Sequence, residues 1–187
     1  MTDPSGSLDL PTSPEALLAR LEALGIAVRT VSHPPVFTVA EAKRLRGKLP
    51  GAHVKNLFLR DKKGRMWLLT CLEDRPLDLK GLGRHLGAKS LSFASAERLM
   101  TYLGVIPGAV TTFGIVNDRD GKVQVLLDRA LCAIDPLNLH PLTNDPTTAI
   151  APGDLMRFLE AEGHPPQLLD LDALCAQWQA AGACAGA

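Results

Sequence analysis

Two apolar runs, Val54 to Leu59 and Met66 to Leu72, stand on either side of Asp61-Lys62-Lys63-Gly64. Runs rich in Val, Leu and aromatic residues around a short Asp/Gly turn specify an antiparallel hairpin. A lone hairpin is marginal in water, so its apolar face must be covered by other elements. The rest of the chain supplies them. Ser13-Pro14-Glu15 places an N-cap and a first-turn proline before Leu17, Leu18, Leu21 and Leu24, and Gly25 can end that helix. Thr38-Val39-Ala40-Glu41 is a capping box that opens a helix ending near Gly47. Asp78 caps a short helix to Leu86, Ser95 caps one to about Tyr102, and Pro152-Gly153-Asp154 opens another with Leu155, Phe158 and Leu159 inward.

Strand patterns occupy Ile26 to Ser32, Leu91 to Phe93, Leu131 to Ile134, Thr148 to Ile150 and Leu168 to Leu171. A second hairpin is expected from Thr112–Val116 and Val123–Leu127 around Asn117-Asp118-Arg119-Asp120-Gly121. Helices and strands mix without a strict βαβ rhythm. The expected fold class is α+β, a mixed α/β arrangement with a compact, largely antiparallel sheet or partial barrel and surrounding helices. Residues 1–13 read as a flexible leader, 14–172 as one domain and 173–187 as an Ala/Gly-rich tail.

The 187 residues carry 20 basic and 20 acidic side chains, so no overall charge announces a nucleic-acid partner. The basic residues do cluster: Lys43, Arg44, Arg46, Lys48 and Lys55 are close in sequence, on a solvated helix face or a phosphate-contacting one. Cys71, Cys132, Cys175 and Cys184 show neither CxxC nor zinc-finger spacing, and Cys71 and Cys132 are expected to be buried thiols. With no signal-peptide pattern and no membrane-length apolar window, a reduced, cytoplasmic protein is expected.

The chain has no GxSxG elbow, HExxH or Walker A loop, and no acidic cluster suggesting magnesium. An enzyme of this kind is expected to work without cofactor or metal on an already activated substrate such as an ester. Three stretches remain as candidates. Gly104-Val105-Ile106-Pro107-Gly108-Ala109-Val110 can turn tightly and present backbone N–H groups to a developing oxyanion. Lys55-Asn56 interrupts an apolar strand, and alternation puts Lys55 on the face opposite Val54, Asn56 and Phe58. Asn138-Leu139-His140-Pro141-Leu142-Thr143-Asn144-Asp145 carries a histidine and amides on a tight turn. Each also has a plain structural reading: a Pro-Gly turn, an outward lysine, a turn histidine bonded to backbone.

In this order, and with His33-Pro34-Pro35-Val36-Phe37-Thr38, these stretches resemble the YbaK/ProX family of aminoacyl-tRNA editing domains, over roughly residues 14–172. The resemblance is strongest to freestanding prolyl-tRNA editing proteins of the ProXp-ala (PrdX) type. It implies a deacylase that removes alanine from mischarged tRNA for proline; a cysteinyl-tRNA deacylase or a non-catalytic tRNA-binding module are the alternatives. It implies mischarged tRNA as partner, with a prolyl-tRNA synthetase or an elongation factor as further candidates. Lys55 matches the family's essential lysine, Gly104, Pro107 and Gly108 its glycine loop, and His140 a pocket histidine. Val36, Phe37, Thr38, Asn56, Phe58, Ala109 and Asn144 become expected substrate contacts, and Lys43, Arg44, Arg46 and Lys48 expected tRNA contacts. Thr112 departs from the pattern, which places a proline before Phe113.

Overall fold

The computed structural model describes residues 11–32 and 49–180. The helix expected after Thr38 lies outside these residues, together with Val36, Phe37, Thr38, Lys43, Arg44, Arg46 and Lys48. Helix α1 (Pro14–Ala23) begins as its sequence dictates: Ser13 Oγ accepts the Ala16 N–H at 3.2 Å, and Gly25 leaves the helix with φ +68°. Strand β1 (Arg29–Ser32) follows. Strands β2 (Ala52–Arg60) and β3 (Met66–Leu72) form the predicted hairpin. Asp61 Oδ1 organises the turn by accepting the N–H groups of Lys63 and Arg65 at 2.9 and 3.0 Å.

Asp78 caps α2 (Leu79–His85), accepting the Lys80 and Gly81 N–H groups at 2.9 Å each. Strand β4 (Ser92–Phe93) leads to α3 (Ala96–Arg98), which widens into a π-helical turn, Leu99–Leu103. Beyond the glycine loop come a 3₁₀ turn (Thr112–Asn117), β5 (Val123–Asp128) and a second 3₁₀ turn (Arg129–Ala133). The described chain closes with β6 (Leu137–Leu139), β7 (Pro146–Ile150), α4 (Pro152–Ala161), β8 (Gln167–Leu169) and α5 (Leu171–Ala180).

The sheet runs β1-β7-β6-β2-β3-β5-β8, with β4 added to β2. It is more mixed than expected: β2–β6, β3–β5 and β5–β8 are parallel, and the other pairs antiparallel. Strand β2 is the hub. One of its edges pairs with β3 from Val54 to Arg60. The other pairs with β6 at Ala52 and His53, and with β4 at Leu59 and Arg60. Between them, Val54 to Leu57 have no strand partner on that edge among the described residues, so the sheet splits there.

Alternation along β2 and β3 feeds two cores. Phe58 and Leu68 point to the larger one, with Leu17, Leu21 and the edge-on Phe113–Phe158 pair. Leu59, Trp67, Leu69 and Cys71 point the other way, onto α2 and α5. The residues after 172 therefore do more than extend a tail, since Leu174, Cys175 and Trp178 pack in this second core.

Two expected strands are 3₁₀ turns instead. Thr112–Asn117 is buried at every residue, so its β-branched run carried no period that separates strand from helix. Thr111 Oγ1 caps it, and Asn117 accepts the Thr12 N–H while donating to the Leu103 carbonyl, both at 2.8 Å. The second expected hairpin is therefore absent, and β5 pairs in parallel with β3. At Leu131–Ile134, Asp128 Oδ1 accepts the Ala130 N–H and starts a turn in which only Leu131 is buried. Cys132 on that turn is exposed, contrary to the expectation of burial, whereas Cys71 is fully buried.

Helix α2 lies directly on Trp178, and a Cβ at Gly81 would sit 2.6–2.7 Å from three ring atoms of that indole. Gly81→Ala is expected to destabilise the protein by about 1–3 kcal/mol through overpacking, read as a fall in the midpoint of thermal unfolding; an unchanged midpoint contradicts this packing.

Candidate functional site

The split edge of β2 opens a small cleft lined by His53, Val54, Asn56, Asn138, His140 and Thr147. Asn138 helps hold the split open, since its Nδ2 donates to the carbonyls of Pro50 and Ala52 at 2.9 and 3.3 Å. The same residue and Thr147 border a larger apolar hollow of about 510 Å³, between β1, β7 and the Leu49-Pro50 segment.

Asn56 is held from below. Its Oδ1 accepts from Thr70 Oγ1 at 2.8 Å and from Thr112 Oγ1 at 2.9 Å, and the two hydroxyls lie 2.6 Å apart. Both threonines are fully buried. Two hydroxyl protons serve three contacts, so the oxygens form one shared cluster rather than three independent bonds. With Oδ1 engaged, the two N–H donors of Nδ2 have no partner among the described residues, and Asn56 lines the cleft. Thr112 ends the glycine loop, so this cluster ties the loop to β2. A proline at 112 has no hydroxyl to do so. The departure seen in the sequence is thus the residue that makes the contact.

The loop itself divides its labour. Gly104 takes φ +63° to close the π-helical turn, and its N–H donates to the Met100 carbonyl. A Cβ there would meet Asn117 Nδ2 at 2.6 Å. Its role is to let the loop begin, and its own N–H is not free for substrate. The Ala109 N–H is likewise used, by the Ile106 carbonyl, and Ala109 is buried. The N–H groups of Gly108 and Val110 have no partner among the described residues, with Pro107 and Gly108 exposed at the tip and Gly108 at φ +92°.

His140 follows β6. Its Nδ1 lies 3.2 Å from the Pro146 carbonyl, which can only accept, so the neutral ring carries its proton on Nδ1 and presents Nε2 as an acceptor. The next turn is strained. The Leu142 N–H bonds back to the His140 carbonyl at 3.0 Å, and Leu142, buried, adopts φ +69°. A non-glycine residue held there costs on the order of 1–3 kcal/mol. Asn144 belongs to the same turn but lines neither the cleft nor the hollow. Phe58 is buried in the larger core and contributes no wall to either.

Lys55 projects from the other face of β2, as alternation requires. Its Nζ donates to the Arg75 carbonyl, at one side of a second cleft of about 620 Å³ that His53 also lines. The Arg75 guanidinium is engaged by Asp128, at 3.0 Å, and by a two-pronged bond to Asp172, which joins this loop to α5. These hydrogen bonds from Arg75 hold the Asp172 carboxyl below the usual carboxylate range. Cys71 stands opposite Lys55 in the β2–β3 register, yet burial pushes its thiol up to about 12 despite the nearby lysine. It is therefore no nucleophile at neutral pH. The structure thus brings Asn56, the end of the glycine loop and His140 to one side of β2, and places Lys55 on the other. Thr70, Thr112 and Arg75 were missed as site residues; only the unexpected hydroxyl at 112 gave any signal.

Comparison with known proteins bears on this constellation. The family model described as aminoacyl-tRNA editing domain matches residues 33–158. The chain is 36% identical over 158 residues to the prolyl-tRNA editing protein ProX of Acetoanaerobium sticklandii, covering 84% of this chain and 96% of that one. It is 41% identical over 154 residues to prolyl-tRNA synthetase associated domain-containing protein 1 of Danio rerio, covering 81% and 84%. A crystal structure described as a candidate trans-editing enzyme for prolyl tRNA synthetase superposes with a TM-score of 0.64 at 24% identity, over 87% of this chain and 98% of that one, and so shares the fold. By the family model and by relatives this similar over most of their length, the chain belongs to the YbaK/ProX family of aminoacyl-tRNA editing domains.

Proposed function

We propose that the protein is a trans-editing hydrolase that removes alanine from mischarged tRNA for proline. The observation that carries this reading is the amide of Asn56, fixed by two buried hydroxyls beside a loop with unpartnered N–H groups at Gly108 and Val110. Donors set in place before reaction are what an ester carbonyl needs as negative charge grows on its oxygen, and one such donor is worth about 3 kcal/mol. Water attacks the carbonyl carbon, the oxygen gathers charge toward these N–H groups, and the terminal ribose hydroxyl leaves. The neighbouring ribose hydroxyl of the substrate can orient that water.

With its Nδ1 turned to the Pro146 carbonyl, His140 lines the cleft and can face the substrate's α-ammonium through Nε2. Lys55 is assigned to positioning: its ammonium keeps donors beyond the Arg75 carbonyl, and a flexible four-carbon stem rooted one residue from Asn56 can meet the terminal phosphate or ribose. Among the described residues no three His, Cys, Asp or Glu side chains are grouped so that they could hold a metal ion. A synthetase site made for proline cannot exclude the smaller alanine, since each missing methylene is worth only about 1–3 kcal/mol, so a second sieve is required. No helix among the described residues is long and apolar enough to cross a membrane.

A deacylation assay on alanyl-, cysteinyl- and prolyl-tRNA for proline tests the reading. Alanyl-tRNA is expected to be hydrolysed and prolyl-tRNA spared, with Lys55→Ala lowering kcat/KM about 10- to 100-fold; preferential loss of cysteine, or full activity in the variant, contradicts it. Thr112→Val is expected to lower kcat about tenfold or more with KM little changed, whereas Thr112→Ser retains most of the activity. Equal kcat values for parent and Thr112→Val would remove the cluster from the mechanism.

A further inference from the structure

The hairpin turn and helix α2 concentrate positive charge that the editing site does not use. Residues 60–65 and 78–89 hold seven basic and two acidic residues, which leaves thirteen basic against eighteen acidic in the rest of a chain of zero net charge. Arg60, Lys62, Lys63 and Arg65 come from the hairpin. Lys80 and Arg84, four residues apart on one exposed face of α2, and Lys89 come from the other side.

Backbone geometry locks the two groups together. The Lys62 N–H donates to the Lys89 carbonyl at 3.4 Å, Arg65 Nη2 to the Gly87 carbonyl at 2.7 Å, and the Gly87 N–H to the Arg84 carbonyl at 3.1 Å. Both acids are already committed: Asp61 to the turn and to Arg65, Asp78 to the cap of α2 and to Arg84. Lys62, Lys63, Lys80 and Lys89 pair with no carboxylate among the described residues, and all four are exposed. Like charges gathered this closely repel, and a polyanion relieves that repulsion while releasing its own counterions.

We infer that this surface binds the phosphodiester backbone of the RNA whose 3′ end enters the cleft; the identity of that RNA rests on the function proposed above. Strand β2 supplies the geometry. Arg60 lies four residues beyond Asn56, roughly 13 Å along the strand, so one strand carries both the site and the start of the patch. On β4, Phe93 pairs with Leu59, on the sheet face that α2 covers, and is 60% exposed, a platform on which an unstacked base can lie. A lipid surface fits less well, because a lone exposed phenyl offers little apolar area to insert.

The test is binding of uncharged tRNA to the full chain, measured by fluorescence anisotropy across a salt series. Combining Lys62→Ala, Lys63→Ala and Lys89→Ala is expected to raise Kd about tenfold or more near 100 mM salt and to reduce the slope of log K against log salt by about 2–3. The corresponding triple arginine variant keeps the charge and restores binding. Parental Kd and slope in the alanine variant would overturn the inference. So would unchanged tRNA binding with lost binding to phosphatidylserine vesicles, which would reassign the surface to membranes. Because uncharged tRNA needs no hydrolysis, a protein that deacylates nothing yet shows these shifts loses the enzymatic reading alone. One that deacylates but shows no shift loses only this surface.

Discussion

Strand β2 can pair with β6 and β4 on one edge only by leaving a gap between them, and the candidate site occupies that gap. Among the described residues, pairing at Ala52-His53 and at Leu59-Arg60 leaves Val54 to Leu57 open on that edge. A sheet that closed here would bury the edge and erase the cleft. Gly51 permits the split: it takes φ +98°, and any Cβ on it would collide with the Pro136 carbonyl oxygen at 2.0 Å. The Ala52 N–H can then reach that same carbonyl at 2.9 Å and start the β6 pairing.

The second constraint is the two-residue period of the same strand. It assigns Asn56 to the threonine cluster, the glycine loop and His140, and Lys55 to Arg75, Cys71 and α5. Two adjacent residues therefore serve different surroundings, one a set of fixed neutral donors and the other a charged network that ends on Asp172. A neutral, pre-set donor array suits a reaction in which charge appears only at the transition state, because it does not require an ion to be desolvated beforehand. The cation on the opposite face is better suited to the permanent charge of a polynucleotide.

Much of the fold was legible because its signals are local. Ser13 before Pro14, Asp78 before Leu79 and the Asp61 turn each act within a few residues, and each element begins or turns where they indicate. The alternation that separates Lys55 from Asn56 was also readable, and holds. What the residues could not disclose is contact across long separations. Asn56 and Thr112 are 56 residues apart and Arg75 and Asp172 97 apart, and no spacing rule joins them. The 3₁₀ turn at Thr112–Asn117 was missed for a related reason. Burial on all sides removes the periodicity that would reveal its shape, and the Asn117 side chain, bonded to Thr12 and Leu103, decides it instead. Phe58 and Ala109, expected as substrate contacts, are buried in the larger core.

The most direct measurement is a crystal structure with a non-hydrolysable alanyl-adenosine in which an amide replaces the ester. The expected pose has its carbonyl oxygen within hydrogen-bonding distance of the Gly108 or Val110 N–H and of Asn56 Nδ2, with the α-ammonium toward His140 Nε2. An analogue seated instead on the Lys55 face, among Arg75, Glu73 and Asp172, would contradict it.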